Sequence, residues 1–254
     1  MTKHPKVLIG SPTAAPYEYC LPDWAARVKE LTYPNKTAVL VDNSEKVPYT
    51  KIIEKYGIKA VKDPEFIEDS RLRLPHSRNI LRQMVLDGNY EYFLSLEQDV
   101  IPPVDVIEQL IRHGKKMVSG VYYKYFNIEY KHEGKSLKTV RKLMPLLAGY
   151  IPGIKKKMDF LTADDVEQPR FFPIRFCGLG CALIHRDVLE QVPFRAEDTF
   201  PGHDDVWFCN DVIQQGFQMY VDTGVKCKHM LSGKPSGLFK DIEKKFNPEL
   251  MADP

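Results

Sequence analysis

Between Lys6 and Tyr123 the sequence switches repeatedly between two periodicities. Short apolar runs of strand character, KVLIG (Lys6–Gly10), KTAVLVD (Lys36–Asp42), EYFLSL (Glu91–Leu96) and MVSGVYY (Met117–Tyr123), are separated by stretches with helical spacing of apolar residues. LPDWAARVKEL places Trp24, Val28 and Leu31 on one face. Ile52, Ile53 and Tyr56 mark a second helix, followed by a short strand at Ala60 and Val61. PHSRNILRQMVLDG has Pro75 near its start, Ile80, Leu81, Met84 and Val85 on one face, and Gly88 as its stop; VDVIEQLIRHG is a fourth helix. Strands that alternate with helices in this way run largely parallel and need cover on both faces. The pattern predicts an α/β fold with a mostly parallel central sheet flanked by helices.

From about Lys124 to Arg170 the rhythm breaks. The stretch is rich in lysine, glycine and tyrosine, and reads either as an excursion from the sheet that covers a site or contacts a substrate, or as a solvated insertion. FFPIRFCGLGCALIHRDVLEQV then resumes with a strand, a glycine turn, a second strand and a helix starting at Asp187. HDDVWFCNDVIQQG reads as a helix ended by Gly216, and FQMYVD as the last strand. A chain of 254 residues, 43% hydrophobic, can bury a substantial core. Its 36 basic and 34 acidic residues nearly cancel, so global charge gives no argument for nucleic acid as a main partner.

No window offers the roughly 20 apolar residues of a spanning helix, and the apolar run in MTKHPKVLIGSPTAAP is too short for a signal peptide or anchor. Five scattered cysteines, Cys20, Cys177, Cys181, Cys209 and Cys227, suit reduced thiols and a cytoplasmic protein; Cys177 and Cys181 lack a second pair at zinc-ligand spacing and read as small core residues. GLGCAL (Gly178–Leu183) contains G-x-G but lacks the third glycine and the following helix of a dinucleotide-binding turn.

The informative stretch is FLSLEQDVIPP, where an apolar strand runs directly into Glu97 and Asp99. Ligands of open parallel sheets bind outside the carboxyl ends of the strands, and carboxylates two residues apart on an extended chain can face one cation. Oxygen ligands with room for phosphate suit Mg²⁺ or Mn²⁺. The ordered set VLVDNSE, RLPHSRNILRQM, YEYFLSLEQDVIPP, a glycine-bearing strand pair, DDVWFCNDVIQQGF and VKCKHM resembles the motif order of GT-A glycosyltransferases, family 2 in particular, from Lys6 to about Met230.

That resemblance implies a single GT-A, Rossmann-like domain over 1–254. It would have a nucleotide-sugar-binding half at 1–122, an insertion at 123–170, and a smaller acceptor and catalytic part with the C-terminal tail at 171–254. By the same resemblance Asp42, Ser11 and Thr13 lie on the nucleotide side, and Arg78, with Asn79, matches an arginine-bearing helix that steadies the nucleotide or a site carboxylate. Asp99 matches the second, metal-binding aspartate of D-x-D, Glu97 replaces the first, and His229 matches a C-terminal histidine that completes the metal site; an imidazole ligand favours Mn²⁺ over Mg²⁺. Gly180 lies near the donor sugar. Asp205 matches the carboxylate that takes the acceptor proton, with Asp204 where glutamate is usual, and Trp207 is an acceptor wall or core.

The implied activity is metal-dependent transfer of a sugar from a nucleoside-diphosphate sugar, a UDP-sugar by the commonest usage, to an acceptor hydroxyl with inversion. The acceptor could be a glycan, a lipid-linked sugar, a protein or a modified nucleic acid, and the basic stretch Lys131–Lys157 could meet an anionic one. Alternatives are a non-catalytic nucleotide-sugar or glycan-binding protein, or hydrolysis of sugar nucleotides by His203, Asp204, Asp205 and His229. A nucleotidyltransferase ranks lower, because GSPTAAPYEY lacks the arginine of its first-strand loop. His113 and His185 read as ordinary surface groups.

Overall fold

A computed structural model describes residues 4–46, 49–132, 135–150, 158–197 and 202–230. The strands are β1 (Val7–Thr13), β2 (Lys36–Asp42), β3 (Lys59–Lys62), β4 (Tyr92–Leu96), β5 (Val100–Ile101), β6 (Met117–Val121), β7 (Tyr123–His132), β8 (Lys135–Pro145), β9 (Leu147–Gly149), β10 (Asp159–Phe160), β11 (Phe171–Ile174), β12 (Phe176–Cys177), β13 (Cys181–His185), β14 (Met219–Lys226) and β15 (Lys228–His229). Eight of them form the central sheet in the order β11-β14-β6-β13-β4-β1-β2-β3. β1, β2, β3 and β4 run parallel to one another, and β14 runs parallel to β6; β13 is antiparallel to both β4 and β6, and β11 to β14. The sheet is therefore mostly parallel, as the alternation of periods requires.

The helices are α1 (Leu21–Glu30), α2 (Thr50–Lys55), α3 (Ser70–Asp87), α4 (Val106–Ile111), α5 (Ala163–Val166), α6 (Arg186–Gln191) and α7 (Asp204–Gln214). Strand side chains alternate between faces, and each face has its own core. Leu8, Val39, Val41 and Phe93 pack with Leu81 and Val85 of α3 and Phe208 and Val212 of α7. Val7, Ile9, Leu40 and Leu94 pack with Trp24 and Val28 of α1 and Ile107 and Leu110 of α4. Every residue of β1 and of β4 is buried. No helix among the described residues is long and apolar enough to cross a membrane.

Several elements depart from the sequence reading. α3 begins before Pro75, because the Asp69 carboxylate caps it by accepting from the Arg71 N–H at 2.8 Å. Pro75 thus lies inside the helix and removes one backbone bond there. α6 starts at Arg186 rather than Asp187, since His185 is itself the N-cap and accepts from the Asp187 N–H through Nδ1 at 3.1 Å. His113, read as an ordinary surface group, stacks on Phe171 with ring centroids 3.8 Å apart and meets the buried Asp222 at 2.7 Å.

The break after Val121 is an antiparallel ribbon, β7 with β8. The chain then returns as the buried β9, which pairs with β10 and β12 in a small second sheet. Within 123–170, Leu147, Ala148, Leu161 and Val166 are thus buried while Met158 and Phe160 remain exposed, and the lysine-rich 151–157 lies outside the described residues. The last strand runs to Lys226, four residues beyond FQMYVD, and is followed by the two-residue β15. All five cysteines are buried, with free thiols.

Candidate functional site

β4 ends at Leu96, and the chain turns through Glu97, Gln98 and Asp99, closed by the Val100 N–H donating to the Glu97 carbonyl at 2.9 Å. Alternation at this turn sends its side chains to different places. Gln98 is buried behind it: its carbonyl oxygen accepts from the Thr13 hydroxyl at 2.5 Å, and its amide donates to the Tyr17 carbonyl at 2.6 Å and the Tyr49 hydroxyl at 3.0 Å. Gln98 therefore fixes the end of β1 and the segment after it against the acidic turn. Sequence reasoning passed over it, and the only available signal was its place between two outward carboxylates. Thr13, assigned to the nucleotide side, has its hydroxyl proton committed to Gln98.

β15 brings the histidine. It pairs antiparallel with β5, His229 opposite Val100, and the Met230 N–H donates to the Asp99 carbonyl at 2.7 Å. His229 Nε2 then stands 3.2 Å from Asp99 Oδ2 across a separation of 130 residues. Its Nδ1 meets the Tyr123 carbonyl at 2.7 Å. A carbonyl can only accept, so Nδ1 carries the hydrogen and Nε2 is the atom turned to Asp99. Burial works to lower the His229 pKa, but the Asp99 carboxylate and the Tyr123 carbonyl outweigh it and hold the imidazole above its ordinary value.

Among the described residues no three His, Cys, Asp or Glu side chains form a ready-made cation site. Asp99 and His229 offer an oxygen and a nitrogen donor side by side, a mixed pair that suits Mn²⁺ and needs the remaining positions filled from outside the protein. Glu97, whose charge also acts on His229, has one oxygen engaged by Arg78: its Oε1 accepts from Arg78 Nη2 at 2.6 Å.

Arg78 is the hub. It lies on α3 with its guanidinium only 2% exposed, and it donates through Nε to Asp204 Oδ2 at 2.6 Å, through Nη1 to the Ser95 hydroxyl at 2.9 Å and through Nη2 to Glu97. Burial acts to lower its pKa, and the Asp204 and Glu97 charges overcome that and raise it, so the guanidinium stays charged. Burial, with Asp99 and Asp204 nearby, pushes Glu97 up in spite of Arg78 and His229. Asn79 serves the backbone instead, exchanging two hydrogen bonds with Phe194 at 2.8 and 3.0 Å.

α7 opens with Asp204 and Asp205, which treat the site differently. Asp204 is buried and bound to Arg78. Asp205 is half-buried; one oxygen accepts from the Val206 N–H at 2.8 Å, and the other makes no hydrogen bond among the described residues. Burial first, and Asp204 second, raise the Asp205 pKa, while the Val206 N–H, Arg78 and Lys124 oppose them. Trp207 is half-buried with the Arg195 guanidinium 4.5 Å from its ring centre.

The glycine turn packs on Tyr122. The Gly180 N–H donates to the Tyr122 hydroxyl at 3.0 Å, the Gly180 carbonyl accepts from the Glu97 N–H at 3.1 Å, and Ser95 donates to the Leu179 carbonyl at 2.6 Å. A Cβ at Gly180 would lie 2.6 Å from Tyr122 Cζ, and one at Gly178 would overlap the Tyr122 hydroxyl and Leu146. The same ring meets His229 edge-on at 5.4 Å. Gly178→Ala should therefore cost about 1–3 kcal/mol, the usual penalty of overpacking a filled core, read as a lowered urea midpoint at unchanged slope. An unchanged midpoint would show that the turn has room to move.

On the far side of β1, Asp42 closes β2 opposite Thr13. It is fully buried; Oδ1 accepts from the Ser44 N–H at 2.8 Å, and Oδ2 has no hydrogen-bond partner, with the Lys62 ammonium 3.8 Å away. The Ser11 hydroxyl is also buried and unpartnered. Two unsatisfied polar atoms in neighbouring strands are unusual inside a protein, where such groups nearly always find partners.

No protein-family model matches the sequence, and no curated protein matches it. Among solved structures, the crystal structure of A197 from STIV is 18% identical, with a TM-score of 0.48, covering 90% of this chain and 87% of that one. The mannosyltransferase PcManGT from Pyrobaculum calidifontis, solved in complex with GDP-Man and Mn2+, is 14% identical, with a TM-score of 0.56 over 95% of this chain. The chain shares the α/β fold of that mannosyltransferase along nearly its whole length, while spanning 61% of the larger protein.

Proposed function

We propose that the protein is a metal-dependent glycosyltransferase that moves a sugar from a nucleoside-diphosphate sugar to an acceptor hydroxyl, with inversion. The observation that carries this reading is the meeting of Asp99 and His229 at the carboxyl end of a parallel sheet, 3.2 Å apart from positions 130 residues distant. A divalent cation bound there, Mn²⁺ by donor chemistry, would neutralise the nucleoside diphosphate as it leaves. In this reading Asp42, whose Oδ2 faces the Lys62 ammonium without a hydrogen bond, and the buried Ser11 hydroxyl stand on the side of the base and ribose.

Arg78 divides the acidic residues by role. Glu97 and Asp204 are bound to it and hold the architecture, so the base falls to Asp205, whose second oxygen is unclaimed. Asp205 accepts the acceptor's hydroxyl proton as that oxygen bonds to the anomeric carbon and the bond to the diphosphate breaks. Direct displacement of this kind inverts the anomeric centre. Asp204 is thereby a positioning residue rather than a second base.

The test is calorimetric titration of the protein with UDP and GDP in the presence and absence of Mn²⁺. Nucleotide binding should require the cation, and Asp99→Ala should abolish the Mn²⁺-dependent part while the protein remains folded by circular dichroism. Parental Mn²⁺-dependent affinity in Asp99→Ala would remove Asp99 from the cation site. Equal nucleotide affinity with and without Mn²⁺ would overturn the metal-dependent reading.

A further inference from the structure

The β7–β8 ribbon begins at the site, since its first residue, Tyr123, gives its carbonyl to His229. Residues paired across an antiparallel ribbon share a face. The register Lys124↔Met144 and Phe126↔Lys142 therefore sets Lys124, Phe126, Lys142 and Met144 on one face. Met144 is buried at its root, while Lys124 and Lys142 are exposed. Phe126 leans on Phe160 at 5.2 Å, and Phe160, 40% exposed, meets Phe176 edge-on at 6.1 Å. Phe176 stands two residues before the glycine turn that borders Asp205's helix. An aromatic strip thus joins the ribbon to the catalytic side of the sheet, with two lysines along it.

Among the described residues neither Lys124 nor Lys142 makes an ion pair or hydrogen bond, whereas Arg78, the other cation beside Asp205, is fully engaged. Lys124 is close enough for its charge to act on Asp205. An exposed aromatic ring is a platform for the apolar face of a sugar, and a cation on the adjoining ribbon face selects for an anion carried on it.

We propose that this face is the acceptor subsite and that it takes an acidic glycan, with a sugar ring on Phe160 and a carboxylate or phosphate of the glycan at Lys124. The inference rests on the transferase reading and adds the acceptor class to it. Placement of the anion at Lys124 would bring the neighbouring sugar hydroxyl toward Asp205, which is the geometry transfer requires.

The test titrates the full-length protein by calorimetry with hyaluronan hexasaccharide, with a mannose-6-phosphate-terminated oligosaccharide and with neutral chitohexaose. At least one acidic probe should bind about tenfold more tightly than chitohexaose at low salt, a preference worth one charge-assisted contact, and added salt should erode it. Carboxylate and phosphate sources are told apart by which acidic probe is preferred. Lys124→Gln should remove most of the preference with an unchanged melting temperature, and Phe160→Ala should weaken acidic and neutral probes alike.

Equal affinity for acidic and neutral probes, or a preference untouched by Lys124→Gln, would overturn the inference. So would Lys124-dependent binding to phosphatidylglycerol vesicles with no oligosaccharide binding, which would make the face a lipid-headgroup site. Parallel titrations with UDP and GDP separate the two levels. Normal nucleotide binding without an acid preference overturns this inference alone; lost nucleotide binding with the preference intact overturns the transferase reading and leaves a site for acidic glycans.

Discussion

Asp205→Asn should lower sugar transfer by about 10²- to 10⁴-fold, the usual worth of a positioned general base, while nucleotide affinity stays at the parental level. The expectation follows from the division of the carboxylates at the opening of α7. Asparagine keeps the size and the contact to the Val206 N–H, and removes only the ability to take a proton. The pH profile provides a second readout. Burial and Asp204 hold the Asp205 carboxyl above its ordinary range, so the acid limb of kcat/KM should fall at a higher pH than an exposed aspartate would give. The sign for stability is opposite to that of a salt-bridged acid. A folded-state pKa above the unfolded one means that ionised Asp205 opposes folding as pH rises, so the asparagine variant should be no less stable than the parent at neutral pH. Parental turnover in Asp205→Asn would remove it as the base.

Arg78→Met should have the largest effect on stability, about 3–5 kcal/mol, because it leaves the buried Asp204 carboxylate, and the half-buried Glu97 beside it, without their cation. Arg78→Lys should recover only part of this loss. One ammonium on a flexible stem cannot satisfy Asp204, Ser95 and Glu97 in three fixed directions. The pair is best compared by urea denaturation alongside Asp204→Asn, whose own cost should not add fully to that of Arg78→Met, since the two residues share one contact. A loss below about 1 kcal/mol for Arg78→Met, the size of an ordinary surface substitution, would show that water replaces the guanidinium and that the hub is dispensable.

The sheet was legible because its strands carry their own signal. Lys6–Gly10 and Glu91–Leu96 are short apolar runs with helical periods between them, although β1 runs on through Ser11 and Pro12 to Thr13, beyond the apolar run. Boundaries were less legible where a side chain outside the apolar pattern decided them: Asp69 starts α3 early enough to enclose Pro75, and the His185 imidazole caps α6. β9 was missed because Leu147–Gly149 is three residues long and buried only by the return of the chain after the ribbon.

At the site, the strand-end position of Glu97 and Asp99 could be read locally, but their division of labour could not. It depends on Arg78 reaching across from α3 to both Glu97 and the start of α7, and no spacing in the sequence encodes that reach. Gln98 illustrates the same limit. An amide between two carboxylates looks like filler until Thr13, Tyr17 and Tyr49 are seen to converge on it.

The two-residue pairing of β15 with β5 has a thermodynamic consequence. His229 is tethered by a very short ladder, helped by the Tyr19 hydroxyl donating to the Met230 carbonyl at 2.7 Å. An ion gripped by Asp99 and His229 together would act as a staple between distant points of the chain, closing a loop of 130 residues. Since the entropy removed from the unfolded chain grows only as the logarithm of such a loop, most of that restraint would already be gained by a loop far shorter.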